Sequence, residues 1–151
     1  VDAALKRIAE SAGPNDRVLI LLIGHGSADD RSSRINLPGP DLTAEELAEM
    51  LDRFPTQQLV VVNTTSASGA FQEPLQGENR TIVTATNSGR EQNETVFARY
   101  FVDAFVGGGA DVDKDGRVTV LEASRRRVNR VRLERVRKEI GSRALPEKKK
   151  A

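Results

Sequence analysis

The chain has no cysteine, a single histidine (His25), and no apolar run approaching the ~18 residues that a membrane-crossing helix needs. The missing cysteine excludes disulfides, thiolate metal sites and thiol catalysis in the chain as it stands, and it leaves the redox compartment open. Any chemistry that needs an imidazole has one address. The first residues carry no signal-peptide pattern and read as the middle of a helix. The chain is therefore expected to be a piece of something longer.

What is present points to one globular domain of ordinary size. Of 151 residues, 38% are hydrophobic and 30% charged, the balance of a soluble fold with a buried core. The net charge of +1 is unevenly spread. Residues 1–121 carry 11 Lys/Arg against 18 Asp/Glu, and residues 122–151 carry 12 against 4. An acidic body with a basic tail raises the question of an anionic partner.

Hydrophobic periodicity predicts a helix over 2–12 with Ala4, Leu5, Ile8 and Ala12 on one face, ended by Gly13-Pro14-Asn15-Asp16. The apolar run at 17–23 predicts a strand buried on both faces, as in a parallel sheet covered by helices. Residues 27–41 read as polar loop. Thr43 and Glu46 predict a capping box, opening a helix that sends Leu47, Met50, Leu51 and Phe54 to the core until Pro55 stops it. Residues 58–62 and 80–85 predict two more strands, the first followed by a small-residue stretch from Asn63 to Ala70. An amphipathic helix is expected over 93–105, broken by Gly107-Gly108-Gly109, and a long helix from 122 to about Ile140. Strands alternating with helices define an α/β fold, a three-layer sandwich with a mostly parallel sheet flanked by helices. Three strands make a narrow sheet, so further strands are expected upstream. The domain is expected over 1–140, with 141–151 a disordered basic tail.

In open α/β sheets, ligands sit at the carboxyl ends of the strands. His25 follows the first strand and Ser66 the second. If these strands are neighbours, both side chains reach one crevice.

Around these residues, LLIGHGSAD resembles the hydrophobic strand and His-Gly signature of the legumain-like and caspase-like cysteine peptidases. LVVVNTTSASGAF resembles their second signature, a strand ending in Cys-x-Ser-Gly, which here reads Ser66-Ala67-Ser68-Gly69. The segments LPGPDLTAEEL and TATNSGREQNE also resemble bacterial legumain-like (asparaginyl endopeptidase) domains, and the likeness covers roughly residues 1–125. The resemblance implies a caspase-like fold with added strands before the histidine strand. It implies His25 as the general acid or base, and Ser66 in the nucleophile's place. The N–H groups of Gly26 and Ser66 would stabilise a developing oxyanion. The loop from Thr86 and Asn87 to Glu91 would line the specificity pocket.

Serine in the cysteine's place implies loss of proteolysis. A hydroxyl needs a base within reach and a third group to orient that base. No acidic partner for His25 is evident, although Asp29 and Asp30 are near in sequence. The serine is either natural, leaving a pseudo-peptidase that binds a peptide or protein segment, or it belongs to a working peptidase, acting through Ser66 itself as a Ser-His variant or through a cysteine that was mutated to serine. The third reading is a calcium-stabilised interaction module with no peptide crevice.

Residues 111–122 fit the EF-hand calcium loop. Asp111, Asp113 and Asp115 supply oxygens at positions 1, 3 and 5, and Gly116 the turn at position 6. Arg117 offers its carbonyl at position 7, Thr119 acts through a water at position 9, and Glu122 binds with both oxygens at position 12. Ca2+ is the expected ion, and a calcium-rich, exported location (periplasmic or extracellular) follows from it. The alternative is a solvated Asp-rich turn that caps the next helix.

The last helix carries Arg125, Arg126, Arg127, Arg130, Arg132, Arg135, Arg137 and Lys138, but Glu134 and Glu139 fall at salt-bridge spacing. Aromatic residues for stacking on bases are missing, so there is no strong nucleic-acid signal. Its thin apolar stripe, Val128, Val131, Val136 and Ile140, fits an upstream part of the same protein or a partner helix. Asn-x-Thr triplets start at Asn63, Asn79 and Asn93.

Overall fold

The computed structural model describes residues 1–29, 32–90, 97–106 and 109–124. It divides into two compact units, Val1–Ala98 and Arg99–Ala151. The expected tail at 141–151 and the basic helix lie outside the described residues.

The first unit is built on a parallel sheet. Its strands are β1 (Arg17–Leu22), β5 (Gln58–Asn63) and β6 (Arg80–Thr84), in the order β1-β5-β6. The register pairs Leu22 with Asn63 and Asn63 with Thr84, so all three strands end together. Helices α1 (Asp2–Ser11) and α2 (Ala44–Leu51) cover one face. There Leu5, Leu47 and Leu51 join Val18, Leu59 and Val61 in the core, with Phe71 and Leu75 from the segment after β5. Period-2 alternation along paired strands puts every second residue on this face.

The opposite face differs from expectation at β1. Leu19 is 60% and Ile23 70% exposed, and Leu21 is exposed as well. The apolar run therefore does not mark a strand buried on both sides. Among the described residues β1 is an edge strand, and no helix covers its outer side chains. In α1 the buried face also shifts. Leu5 is buried and Ala9 packs against the core, whereas Ala4 and Ile8 are exposed.

The stretch expected as loop holds a small antiparallel sheet: β2 (Gly26–Ala28), β3 (Ser33–Ile35) and β4 (Leu42–Thr43), in the order β2-β3-β4. Ile35 and Leu42 pair across it and are both buried in the main core. Strands of two or three residues are too short to show alternation in sequence.

The capping box at α2 forms as expected. Glu46 N–H donates to Thr43 Oγ1 at 3.1 Å, and Thr43 N–H donates to Glu46 Oε2 at 2.9 Å. The Thr43 N–H, and then the Thr43 hydroxyl donating to the same oxygen at 3.0 Å, hold the Glu46 carboxyl below its ordinary range. Thr43→Ala is expected to cost about 1 kcal/mol, read as a lower urea midpoint with an unchanged slope.

Helix α3 (Phe97–Val106) begins at the end of the first unit and continues into the second. Phe101 and Phe105 stack edge to face at 5.2 Å. Residues 120–124 are helical and follow the acidic loop. No helix among the described residues is long and apolar enough to cross a membrane.

Candidate functional site

Because β1 and β5 are parallel neighbours, the chain leaves both at the same end of the sheet. Thr64 extends the pairing by one step, its N–H and Oγ1 both donating to Leu22 O, at 2.9 and 2.7 Å. His25 and Ser66 follow within three residues of these ends. The strand-end expectation holds to that point.

The side chains then part. His25 is exposed, and among the described residues its ring makes no hydrogen bond. Asp29 bonds Arg34 and accepts from Ser32 N–H instead, and Asp30 lies outside the described residues. Ser66 is buried, and its hydroxyl turns to Gly26. Ser66 Oγ donates to Gly26 O at 2.9 Å and accepts Gly26 N–H at 3.1 Å. The single hydroxyl proton is thus committed to a backbone carbonyl. The Gly26 N–H expected to await an oxyanion is committed to the serine.

This contact is one side of a closed triangle of three loops. A Cβ on Gly26 would collide with Ser66 O and stand 2.8 Å from Thr65 Oγ1 and 3.0 Å from Arg34 O. A Cβ on Gly69 would collide with Ser88 N, and stand 2.5 Å from Asn87 C. A Cβ on Gly89 would stand 2.9 Å from the Cβ atoms of Ala28 and Ala70. Each loop touches the other two, and a glycine stands at each contact. Ala67 takes the left-handed conformation with φ 57°, turning the chain from β5 into the short helix η1 (Ser68–Phe71). For a residue with a Cβ that turn costs about 1–2 kcal/mol.

Hydroxyls fasten the triangle. Ser68 Oγ, fully buried, accepts Ala85 N–H at 2.9 Å and Thr86 N–H at 3.1 Å. Thr86 Oγ1 accepts Gly69 N–H at 2.8 Å and donates to Ser88 O at 3.0 Å. With its own proton used, Thr86 must receive the Ser68 proton across the 3.3 Å between them. Asn63, also fully buried, accepts from Thr65 N–H and Oγ1 at 3.1 and 2.7 Å. Its amide nitrogen finds no acceptor among the described residues.

Of the residues expected to line a pocket, Thr86 is buried with its hydroxyl used inside the triangle, and Asn87 is exposed. Glu91 lies outside the described residues. Sequence reasoning missed Ser68, Gly69 and Thr86 as the fastening set. The signal was available: a serine-glycine pair after one strand and a threonine after the next, at ends that must meet in a parallel sheet.

The acidic loop belongs to the second unit. Ligand oxygens of Asp111, Asp113 and Asp115 lie within 4.8 Å of one another. Gly116 has φ 83°, as a sharp turn at that position requires, and its N–H donates to Asp111 Oδ2 at 3.0 Å. Arg117 N–H donates to Asp115 Oδ1 at 2.8 Å. Glu122 is held by Thr119 N–H and Oγ1 on one oxygen and by Val112 N–H on the other, at 2.9, 2.8 and 2.8 Å. Donors from Thr119 and Val112 pull its carboxyl down to about 2. The Asp115 N–H lowers Asp113, but desolvation, the charges of Asp115 and Glu122 and a hydrogen bond with Asp111 outweigh it, and Asp113 is raised. Three carboxylates whose oxygens converge on one small volume are a donor set suited to a hard divalent cation.

A three-stranded parallel sheet that sets the His25 and Ser66 loops at adjoining strand ends is consistent with part of a caspase-like α/β fold. The chain belongs to the Peptidase C13 family, whose model matches residues 3–125. No curated protein and no solved structure shows significant similarity to it.

Proposed function

We propose that this legumain-like domain, of bacterial type, is a non-cleaving pseudo-peptidase that binds calcium and a peptide or protein segment. The observation that carries the reading is the reciprocal bonding of Ser66 Oγ to Gly26 N–H and O. A serine nucleophile must hand its proton to a base as it attacks. Here the proton is on a backbone carbonyl, and His25 stands exposed without an orienting carboxylate among the described residues. The three strand-end loops stay closely packed at Gly26, Gly69 and Gly89, which supports retention of this end of the sheet for binding.

The acidic loop supports Ca2+ as the ion, with Asp111, Asp113, Asp115 and Glu122 as its carboxylate ligands, the Arg117 carbonyl, and Thr119 through a water. A single such loop has the modest affinity of extracellular modules, which supports an exported location. The exposed Leu19, Leu21 and Ile23 support an upstream part of the same protein as a further partner. The rival reading is a peptidase whose cysteine at position 66 has been replaced. The intact loop triangle favours it as the second choice.

Treatment with a fluorophosphonate, which phosphonylates an activated serine with loss of fluoride, tests whether Ser66 is a nucleophile. No adduct at Ser66 is expected. An adduct that disappears in Ser66→Ala overturns the reading.

A further inference from the structure

Gly26 is buried and sits opposite Ile35 in the β2–β3 ladder, while His25 O accepts Asn36 N–H at 3.0 Å. The N–H and C=O of Gly26 are thus turned away from β3, and both find their partner in one side chain, Ser66, 40 residues later. Next to them stands the exposed His25. An extended peptide lying along this crevice presents carbonyl oxygens and N–H groups in turn, and the Gly26 N–H is a donor for its carbonyls.

We propose that the Ser66 hydroxyl is an internal plug: it occupies the Gly26 N–H in competition with a carbonyl oxygen of a docked peptide. This rests on the peptide-crevice reading above. A peptide has to displace a bond that costs the protein nothing to keep, because Ser66 is already ordered by the loop triangle and its own proton is satisfied at Gly26 O. Side-chain contacts therefore carry recognition, and the backbone contact that a vacant N–H would add is withheld. A thiol is longer and a far weaker hydrogen-bonding group than a hydroxyl. At this position it would leave the N–H open, so the difference between serine and cysteine changes binding as well as nucleophilicity.

Two readouts on the full chain with Ser66→Ala test this: amide hydrogen exchange at Gly26, and capture of a mixed-sequence peptide library by immobilised protein. Exchange at Gly26 is expected to rise about tenfold, with protection in the core strands unchanged. Peptide retention is expected to rise over the native chain. Unchanged exchange at Gly26 overturns the plug whatever the peptides do. Faster exchange with retention equal to or below that of the native chain overturns the competition while leaving a peptide crevice in place. No retention by either protein overturns the crevice reading, and the plug with it.

Discussion

Gly69→Ala is expected to lower stability by about 3 kcal/mol, the upper part of the range for forcing an extra carbon into a filled site. For a chain of this length that is a fall in Tm of about 10 °C. The reason is the nature of the neighbours. The added Cβ meets the backbone of Asn87 and Ser88, which cannot rotate away as a flexible side chain would. Relief requires pulling the β6 loop off η1. That would break the Gly69 N–H bond to Thr86 Oγ1 and the two amide bonds to Ser68 Oγ. Gly116→Ala is not an equivalent control, because its penalty is a positive φ in open space rather than a collision. Calorimetry on the purified variant checks the figure. A Tm within a degree or two of the native value would show that the three loops are not packed backbone to backbone.

Calcium is expected to raise the thermal stability of the unit that holds residues 111–122, by about 1.5–3 kcal/mol at 10–100 times the dissociation constant. With affinities of about 0.1–1 mM, as in extracellular modules, that requires calcium of about 10 mM. Two substitutions isolate the ligand charge. Asp111→Asn keeps one oxygen, which can accept one of the two N–H groups, Asp115 or Gly116, that now bond Oδ1 and Oδ2. Glu122→Gln keeps one oxygen for the Thr119 donors, as a capping-box glutamine does, and gives up the Val112 N–H bond to the other oxygen. Both variants are expected to fold without the ion and to lose its effect. The low position of the Glu122 carboxyl, about 2, means that it is anionic throughout the neutral range and needs no proton loss to bind. A calcium-induced shift that survives in Glu122→Gln would contradict this ligand assignment.

Much of the scaffold is legible in the sequence because its signals are strong and local. The capping box at Thr43 and Glu46 names its own helix start, and the segments at 17–23, 58–62 and 80–85 name the parallel strands. The two peptidase signatures lead to the family because each joins an apolar strand to a specific loop. The failures share a cause. Whether Leu19 and Leu21 are covered depends on what packs over β1, which a run of apolar residues does not encode. The two- and three-residue strands β2, β3 and β4 are held by tertiary pairing rather than periodicity. The direction of the Ser66 hydroxyl depends on Gly26, 40 residues away, and on an alanine forced into a left-handed turn. Sequence places Ser66 next to His25 along the sheet edge, but only the folded loop decides which of its neighbours it bonds.

Incubation of the chain with calcium and a mixed peptide library, with new termini read by mass spectrometry and Ser66→Cys run alongside, tests the central claim most directly. The account expects no defined cleavage by the chain as it stands and defined cleavage by Ser66→Cys. Cleavage by the native chain that vanishes in Ser66→Ala would contradict it, because Ser66 would then be a nucleophile rather than a clasp on Gly26.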